Sequence, residues 1–293
     1  MPIFSIFIIG FIIGKLKKLS IDSLSYVALN VFYPFLAFNT FYTNDITVEF
    51  LYVFIAITFI VFSTYFLILI LAKIFKYNKK RKHAMLLAGV FMNGGNYGLP
   101  VVLFALGEES FVYAMMIMVI MSIYMNTIGL YIAASGTDED VPKREALKKT
   151  IKMPIIPAIF VGILFQLFNV KLPGSIEDTV SFLSDAAIPL IMIVLGIQLS
   201  TIAIRKIAVK PVVLLVVIRL IVSPILAILF VYLFGLNDTV LASVLIIIAA
   251  MPTAANTTMF SVKYRVEPEL VSSTTLITTV LSLITLPVWF LFV

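Results

Sequence analysis

Apolar runs too long for an ordinary soluble core, separated by clusters of Lys and Arg, constrain this chain most. They lie roughly at 2–16, 25–43, 48–75, 84–105, 110–134, 152–169, 180–200, 210–234, 239–261 and 269–292. With 62% hydrophobic residues, 12% charged and a mean hydropathy of +1.14, the composition is that of an integral membrane protein. The expected fold is all-α and polytopic, with ten transmembrane helices. The first is short, closed by Lys15. Its basic residues follow the apolar stretch rather than precede it, so a retained helix is expected in place of a signal peptide.

Charge placement sets an expected orientation. If loops alternate starting from outside, all but Lys171 and Arg219 of the 21 Lys and Arg fall on the inner side. Both termini are then outside a cytoplasmic membrane, and the lipid bilayer is the expected surrounding. The +6 charge is a topology signal and gives no reason to invoke nucleic acid. There is no cysteine and a single His, His83, at the cytoplasmic edge of the fourth run, where it reads as interfacial. No cofactor, metal site or catalytic residue is expected, since an intramembrane enzyme needs a nucleophile–base pair or metal ligands at depth.

Two runs are interrupted. The fourth contains Asn93-Gly94-Gly95-Asn96-Tyr97-Gly98-Leu99-Pro100 and the ninth Met251-Pro252-Thr253-Ala254-Ala255-Asn256-Thr257. At membrane depth an unpaired backbone group costs several kcal/mol, so unwound chain is tolerated only where it is buried in protein or lines a cavity. A pair of such breaks, one per half, points to a secondary transporter's binding site. Gly94, Gly95, Gly98, Pro100 and Pro252 are the expected helix breakers. The half-helix starts present free N–H groups and partial positive charge, a seat for a carboxylate. Asn93, Asn96, Tyr97, Asn126, Thr253, Asn256 and Thr257 are the candidate substrate contacts, their amides and hydroxyls supplying donors and acceptors.

The halves repeat weakly. Met1-Pro2-Ile3 and Gly10 match Met153-Pro154-Ile155 and Gly162; Ser20-Ile21-Asp22 matches Ser175-Ile176-Glu177; Pro34 matches Pro189, Asn96 matches Asn256 and Glu109 matches Glu269. Five helices per half is an odd number, so the second half enters inverted. The organisation expected is a first repeat over 1–134, a cytoplasmic linker over 135–150 and a second repeat over 151–293. Pro34 and Pro189 are expected kinks. Gly10, Gly162 and Gly196 are expected close-packing positions.

One cation sits at depth. Arg219 lies nine residues past Lys210, roughly 14 Å into the membrane at 1.5 Å per residue. Two roles fit: a counter-charge for an anionic substrate, or a clamp on broken-helix carbonyls, with slight preference for the clamp. Asp185 is either its partner or, preferably, a helix-start cap with Ser184. Asn30, Asn39 and Gln198 fit interhelical bonds or cavity positions equally. The crossing itself holds no Asp, Glu, Lys or His, so transport without an obligatory cation is a live option beside sodium or proton coupling.

These motifs resemble the auxin efflux carrier family. The stretch Asn93–Pro100 resembles its fourth-helix signature, Asn126-Thr127-Ile128-Gly129 its fifth-helix motif, and Ser184-Asp185-Ala186 with Leu195-Gly196 its seventh helix. Arg219-Leu220 with Ser223-Pro224 resembles the eighth helix, and Ala250-Met251-Pro252 with Asn256 the ninth. The resemblance implies a fold similar to bile acid–sodium symporters, with a scaffold of helices 1, 2, 6 and 7 and a transport domain of helices 3–5 and 8–10. It further implies an elevator-like motion, a homodimer through the scaffold, and small organic anions as substrates: auxin in plants, malate or malonate in microbial relatives. Asn96, Pro100, Pro252 and Asn256 would lie at the crossing, with Asn126 beside it. Met251 stands where sodium-coupled relatives place polar ligands. The long cytoplasmic loop of many plant members is missing.

Overall fold

In lipid each backbone N–H and C=O must be satisfied within the chain, and runs this apolar meet that demand as helices. The computed structural model describes residues 2–17, 19–45, 47–136, 153–201 and 208–293. The linker beyond Gly136 lies outside the described residues, as do Lys18, Lys143, Arg144, Lys148, Lys149, Lys152, Arg205 and Lys206. In chain order the helices are α1 (Pro2–Leu16), α2 (residues 21–43), α3 (Glu49–Ile74), α4 (Lys79–Val90), α5 (Gly94–Leu106) and α6 (Glu108–Ser135). After the linker come α7 (Ile155–Leu167), α8 (Gly174–Thr201), α9 (Val209–Leu233), α10 (Val240–Ala249), α11 (Ala255–Lys263) and α12 (Pro268–Trp289). Among the described residues α2, α3, α6, α8, α9 and α12 are long and apolar enough to cross a membrane, and no regular strand forms. The protein is a multi-pass, all-helical membrane protein.

Polar side chains start several helices. Ser20 caps α2 by accepting from the Ser23 N–H at 3.2 Å, Asn78 caps α4 through the Arg81 N–H at 2.8 Å, and Thr239 caps α10 through the Ala242 N–H at 3.0 Å. Among the described residues four helices carry a π-helical turn: Ala28–Phe32, Gly94–Gly98, Met125–Gly129 and Ile218–Val222. Three of these turns end two residues before a proline, at Pro34, Pro100 and Pro224. A proline has no N–H to give and its ring crowds the carbonyl four residues back, so widening the preceding turn relieves the clash. At Pro224 the carbonyl so freed, Leu220 O, accepts from the Trp289 indole at 2.8 Å.

Small residues set the closest helix contacts. α1 packs against α8 and α7 against α2, while α8 also meets α2. A Cβ at Gly10 would strike the backbone of Ile193, one at Gly196 the backbone of Phe7 and Gly10, and one at Gly162 the carbonyl of Phe38. The expected close-packing role of these glycines holds.

Two expectations about Asp185 do not hold. α8 begins at Gly174, several residues earlier than the apolar run, because the preceding polar stretch continues the helix at its exposed end. Ser184 and Asp185 therefore sit inside it rather than at a cap. Ser184 accepts from Asn39 Nδ2 at 3.4 Å, and Asp185 is exposed. Arg219 is fully buried and bonds elsewhere, so the two are not partners.

Candidate binding site

The two interrupted runs meet. α4 ends at Val90 and α10 at Ala249, and the extended chains that follow form an antiparallel bridge between Met92 and Thr253. Asn93 N–H donates to Pro252 O at 2.8 Å and Ala254 N–H to Phe91 O at 2.9 Å. Each break thus satisfies part of the other's backbone, as the low-dielectric depth requires. The unwound residues begin at Phe91, earlier than Gly94, and Gly94–Gly98 is already helical with negative φ. The glycines act through close approach instead: a Cβ at Gly95 would meet Met118 Cγ at 2.9 Å.

Arg219 holds this crossing from behind. Its Nη1 donates to Gly89 O at 3.2 Å and Val90 O at 3.3 Å, and its Nη2 to Ala249 O at 3.0 Å and Ser223 Oγ at 3.0 Å. Those carbonyls end α4 and α10, where the helix dipoles put negative charge and no intrahelical donor remains. The guanidinium fork is suited to such multiple acceptors. Of the two roles open in the sequence, this geometry is the clamp.

A cavity of about 380 Å³, which Arg219 does not line, adjoins the crossing. Asn93, Asn96, Asn126 and Asn256 line it together with Gly95, so four of the seven candidate contacts converge. The other three lie outside its lining. Thr253 is fully buried and donates to Ala88 O at 2.7 Å, and Thr257 turns its hydroxyl back to Ala254 O at 2.7 Å. Tyr97 stacks on Phe7 with ring centroids 5.4 Å apart, and its hydroxyl accepts from Ser282 at 3.1 Å.

Neighbouring groups fix the amides. The Tyr33 hydroxyl donates to Asn96 Oδ1 at 2.8 Å, which leaves the Asn96 NH₂ as the available donor. Asn126 Nδ2 donates to Ser122 O at 2.9 Å, leaving its oxygen. The first turns of α5 and α11 begin at the crossing and add unpaired N–H groups with partial positive charge. Among the described residues no acidic side chain lines the cavity, and Lys263 is the one charged residue that does. Such a site favours a compact group with acceptor oxygens and negative charge.

Sequence reasoning missed Ser25, Tyr33 and Lys263, as well as the methionines Met92, Met118, Met121, Met125, Met153 and Met259, all of which line the cavity. Ser25 Oγ is buried without a hydrogen-bond partner among the described residues. A four-residue spacing, Ser25-Leu29-Tyr33, was the available signal for α2. The methionine wall had none, being assembled from several separate helices.

Outside the cavity, His83 Nδ1 lies 2.7 Å from Lys79 O. Burial holds its pKa below that of a free imidazole, against the Lys79 carbonyl and with the charges of Lys82 and Lys79 adding to the lowering.

Comparison with known proteins adds one family and several relatives. The family model described as "Membrane transport protein" matches residues 1–290. An uncharacterized transporter of Methanothermobacter thermautotrophicus is 29% identical over 284 residues, 95% of this chain and 91% of that protein. An uncharacterized transporter of Methanocaldococcus jannaschii is 29% identical over 222 residues, 74% of this chain and 70% of its own. A protein of Rhizobium meliloti, provisionally named a malonate transporter, is 25% identical over 299 residues, 97% of this chain and 92% of that protein.

Proposed function

Because this chain belongs to the membrane transport protein family, the auxin efflux carriers that its motifs resemble, we propose that it is a secondary carrier of a small organic anion. The substrate carboxylate sits at the crossing of the two broken helices, against the Asn96 and Asn256 amides and the helix starts of α5 and α11. Asn93 and Asn126 complete the ring. The observation that carries this reading is the cavity itself: four amides, two helix N-termini and, among the described residues, no acid around one space at a backbone crossing. The provisional malonate name of one relative supports the substrate class.

Transport proceeds by an elevator-type alternation of ten membrane helices arranged as two inverted repeats, 1–134 and 151–293. The fourth helix of the repeat scheme is α4 with α5, and the ninth is α10 with α11. Runs 1, 2, 6 and 7 (α1, α2, α7 and α8) serve as scaffold, and the remaining helices carry the crossing. Reciprocal packing supports the symmetry, since α1 meets α8 at Gly10 as α7 meets α2 at Gly162, a matched pair in the sequence. The protein works as a homodimer through its scaffold in the cytoplasmic membrane, both termini outside. With that orientation the Lys263 end of the cavity faces the cytoplasm and the conformation is inward-facing.

Uptake of labelled mono- and dicarboxylates into proteoliposomes tests the proposal. Saturable uptake that Asn96→Ala and Asn256→Ala each reduce at least tenfold in Vmax/KM is expected. Equal uptake by wild type and both variants refutes the site.

A further inference from the structure

The cavity has an anion seat at one end and a cation at the other, and the two lie on one helix. Asn256, Met259, Phe260 and Lys263 line it from α11, the spacing of a single helical face. Asn256 is in the first turn and Lys263 is the last residue, seven positions or about 10 Å along the axis. Lys263 is exposed, stands over the Tyr264 ring at 5.4 Å and makes no ion pair among the described residues. Arg219, the deep cation, is spent on backbone carbonyls. Among the described residues the free charge of this site is therefore that of Lys263.

We infer that Lys263 is an anion-recruiting station, which meets a carboxylate from water and passes it along α11 to the crossing. The inference rests on the proposed anion-carrier reading. Lys263 is exposed with its Nζ over the ring of Tyr264, seven residues beyond Asn256 on α11, so Lys263 acts on capture rather than in the seated complex. A single cation at the mouth of a low-dielectric funnel raises local anion concentration and on-rate, and salt screens it over about 8 Å at physiological ionic strength. A lysine that only marks the cytoplasmic side, or only complements the C-terminal dipole of α11, has no such effect on capture.

The chain contains no cysteine, so Lys263→Cys gives one addressable thiol. Initial uptake of a panel of labelled carboxylates, malonate included, is measured in inside-out membrane vesicles at low and high salt. Lys263→Gln is expected to raise KM about threefold to tenfold at low salt, with Vmax within twofold and the salt dependence of KM largely lost. Lys263→Arg keeps wild-type KM. Aminoethylation of Lys263→Cys by a methanethiosulfonate restores a cation and lowers KM towards wild type, whereas sulfonatoethylation raises it further. Saturable wild-type uptake with the same KM and salt slope in Lys263→Gln overturns the station alone, as do equal KM values after the two modifications. Wild-type vesicles that take up no carboxylate saturably overturn the station and the anion-carrier reading together.

Discussion

Removing the Arg219 guanidinium deprives the ends of two helices of their donors at once. In Arg219→Ala the carbonyls of Gly89, Val90 and Ala249 lose bonds of 3.0–3.3 Å in a fully buried site. Each unsatisfied buried acceptor costs about 1–3 kcal/mol, so the three together cost roughly 3–9 kcal/mol. Part of that is returned, because a buried cation without a carboxylate partner also leaves the protein, a relief of several kcal/mol. The net expectation is a loss of about 3–5 kcal/mol, in the range for breaking a buried charged cluster. At about 2–4 °C per kcal/mol, this is a fall of roughly 6–20 °C in the midpoint at which the detergent-solubilised protein stops eluting as a single species. Arg219→Lys keeps the charge but lacks the fork, so it recovers only part of the loss. A stable Arg219→Ala protein that has lost carboxylate binding, with Arg219→Lys fully active, would refute the clamp and make Arg219 a substrate counter-charge.

Tyr33→Phe frees the Asn96 amide to rotate, so it should raise KM for carboxylate about twofold to thirteenfold, the worth of one neutral hydrogen bond of about 1 ± 0.5 kcal/mol, while thermal stability changes by less than in Arg219→Ala. Uptake kinetics and melting of the same preparation check this. Gly10→Val places side-chain atoms in the backbone of Ile193 and should separate α1 from α8, seen as a lower melting midpoint that Ala at the same position produces to a smaller degree. His83 is held below its unfolded pKa by burial, so the unfolded chain binds the extra proton as pH falls through about 6.5. Its stability contribution is present above that pH and lost below it. Melting from pH 8 to pH 5 should fall more steeply in wild type than in His83→Gln.

The sequence made the helices legible because lipid permits so few backbone solutions: long apolar runs with basic ends map onto α3, α6 and α9 almost residue for residue. The breaks were legible as regions but misplaced in detail. Glycine suggested unwinding at 94–98, yet the chain unwinds at 91–93, where Met92 finds a bridge partner in Thr253 that only the tertiary fold supplies. Spacing along the chain also failed to tell the cavity face from the packed face near the crossing. Asn96 and Tyr97 are adjacent, and one lines the cavity while the other stacks on Phe7. Arg219 was legible as a depth and as two roles, because charge at that depth demands a partner, but the choice between carbonyls and substrate needed the positions of α4 and α10. Asp185 misled because a polar residue near the start of an apolar run resembles a cap when the polar turns before it are also helical. Ser25 and Tyr33 belong to α2, which reaches the crossing only through packing, whereas Lys263 shares a face of α11 with Asn256 but lies beyond the apolar run, where its charge read as a topology signal.

The placement of a bound carboxylate is the most direct test of the account. Crystals of the protein soaked with a brominated carboxylate that competes for uptake would be measured at the bromine absorption edge. The account predicts an anomalous peak inside the cavity, with the carboxylate within hydrogen-bond reach of the Asn96 and Asn256 amides, and no peak in an Asn96→Ala, Asn256→Ala double variant. A peak beside Arg219, or one in the cavity that survives the double variant at equal strength, would contradict it.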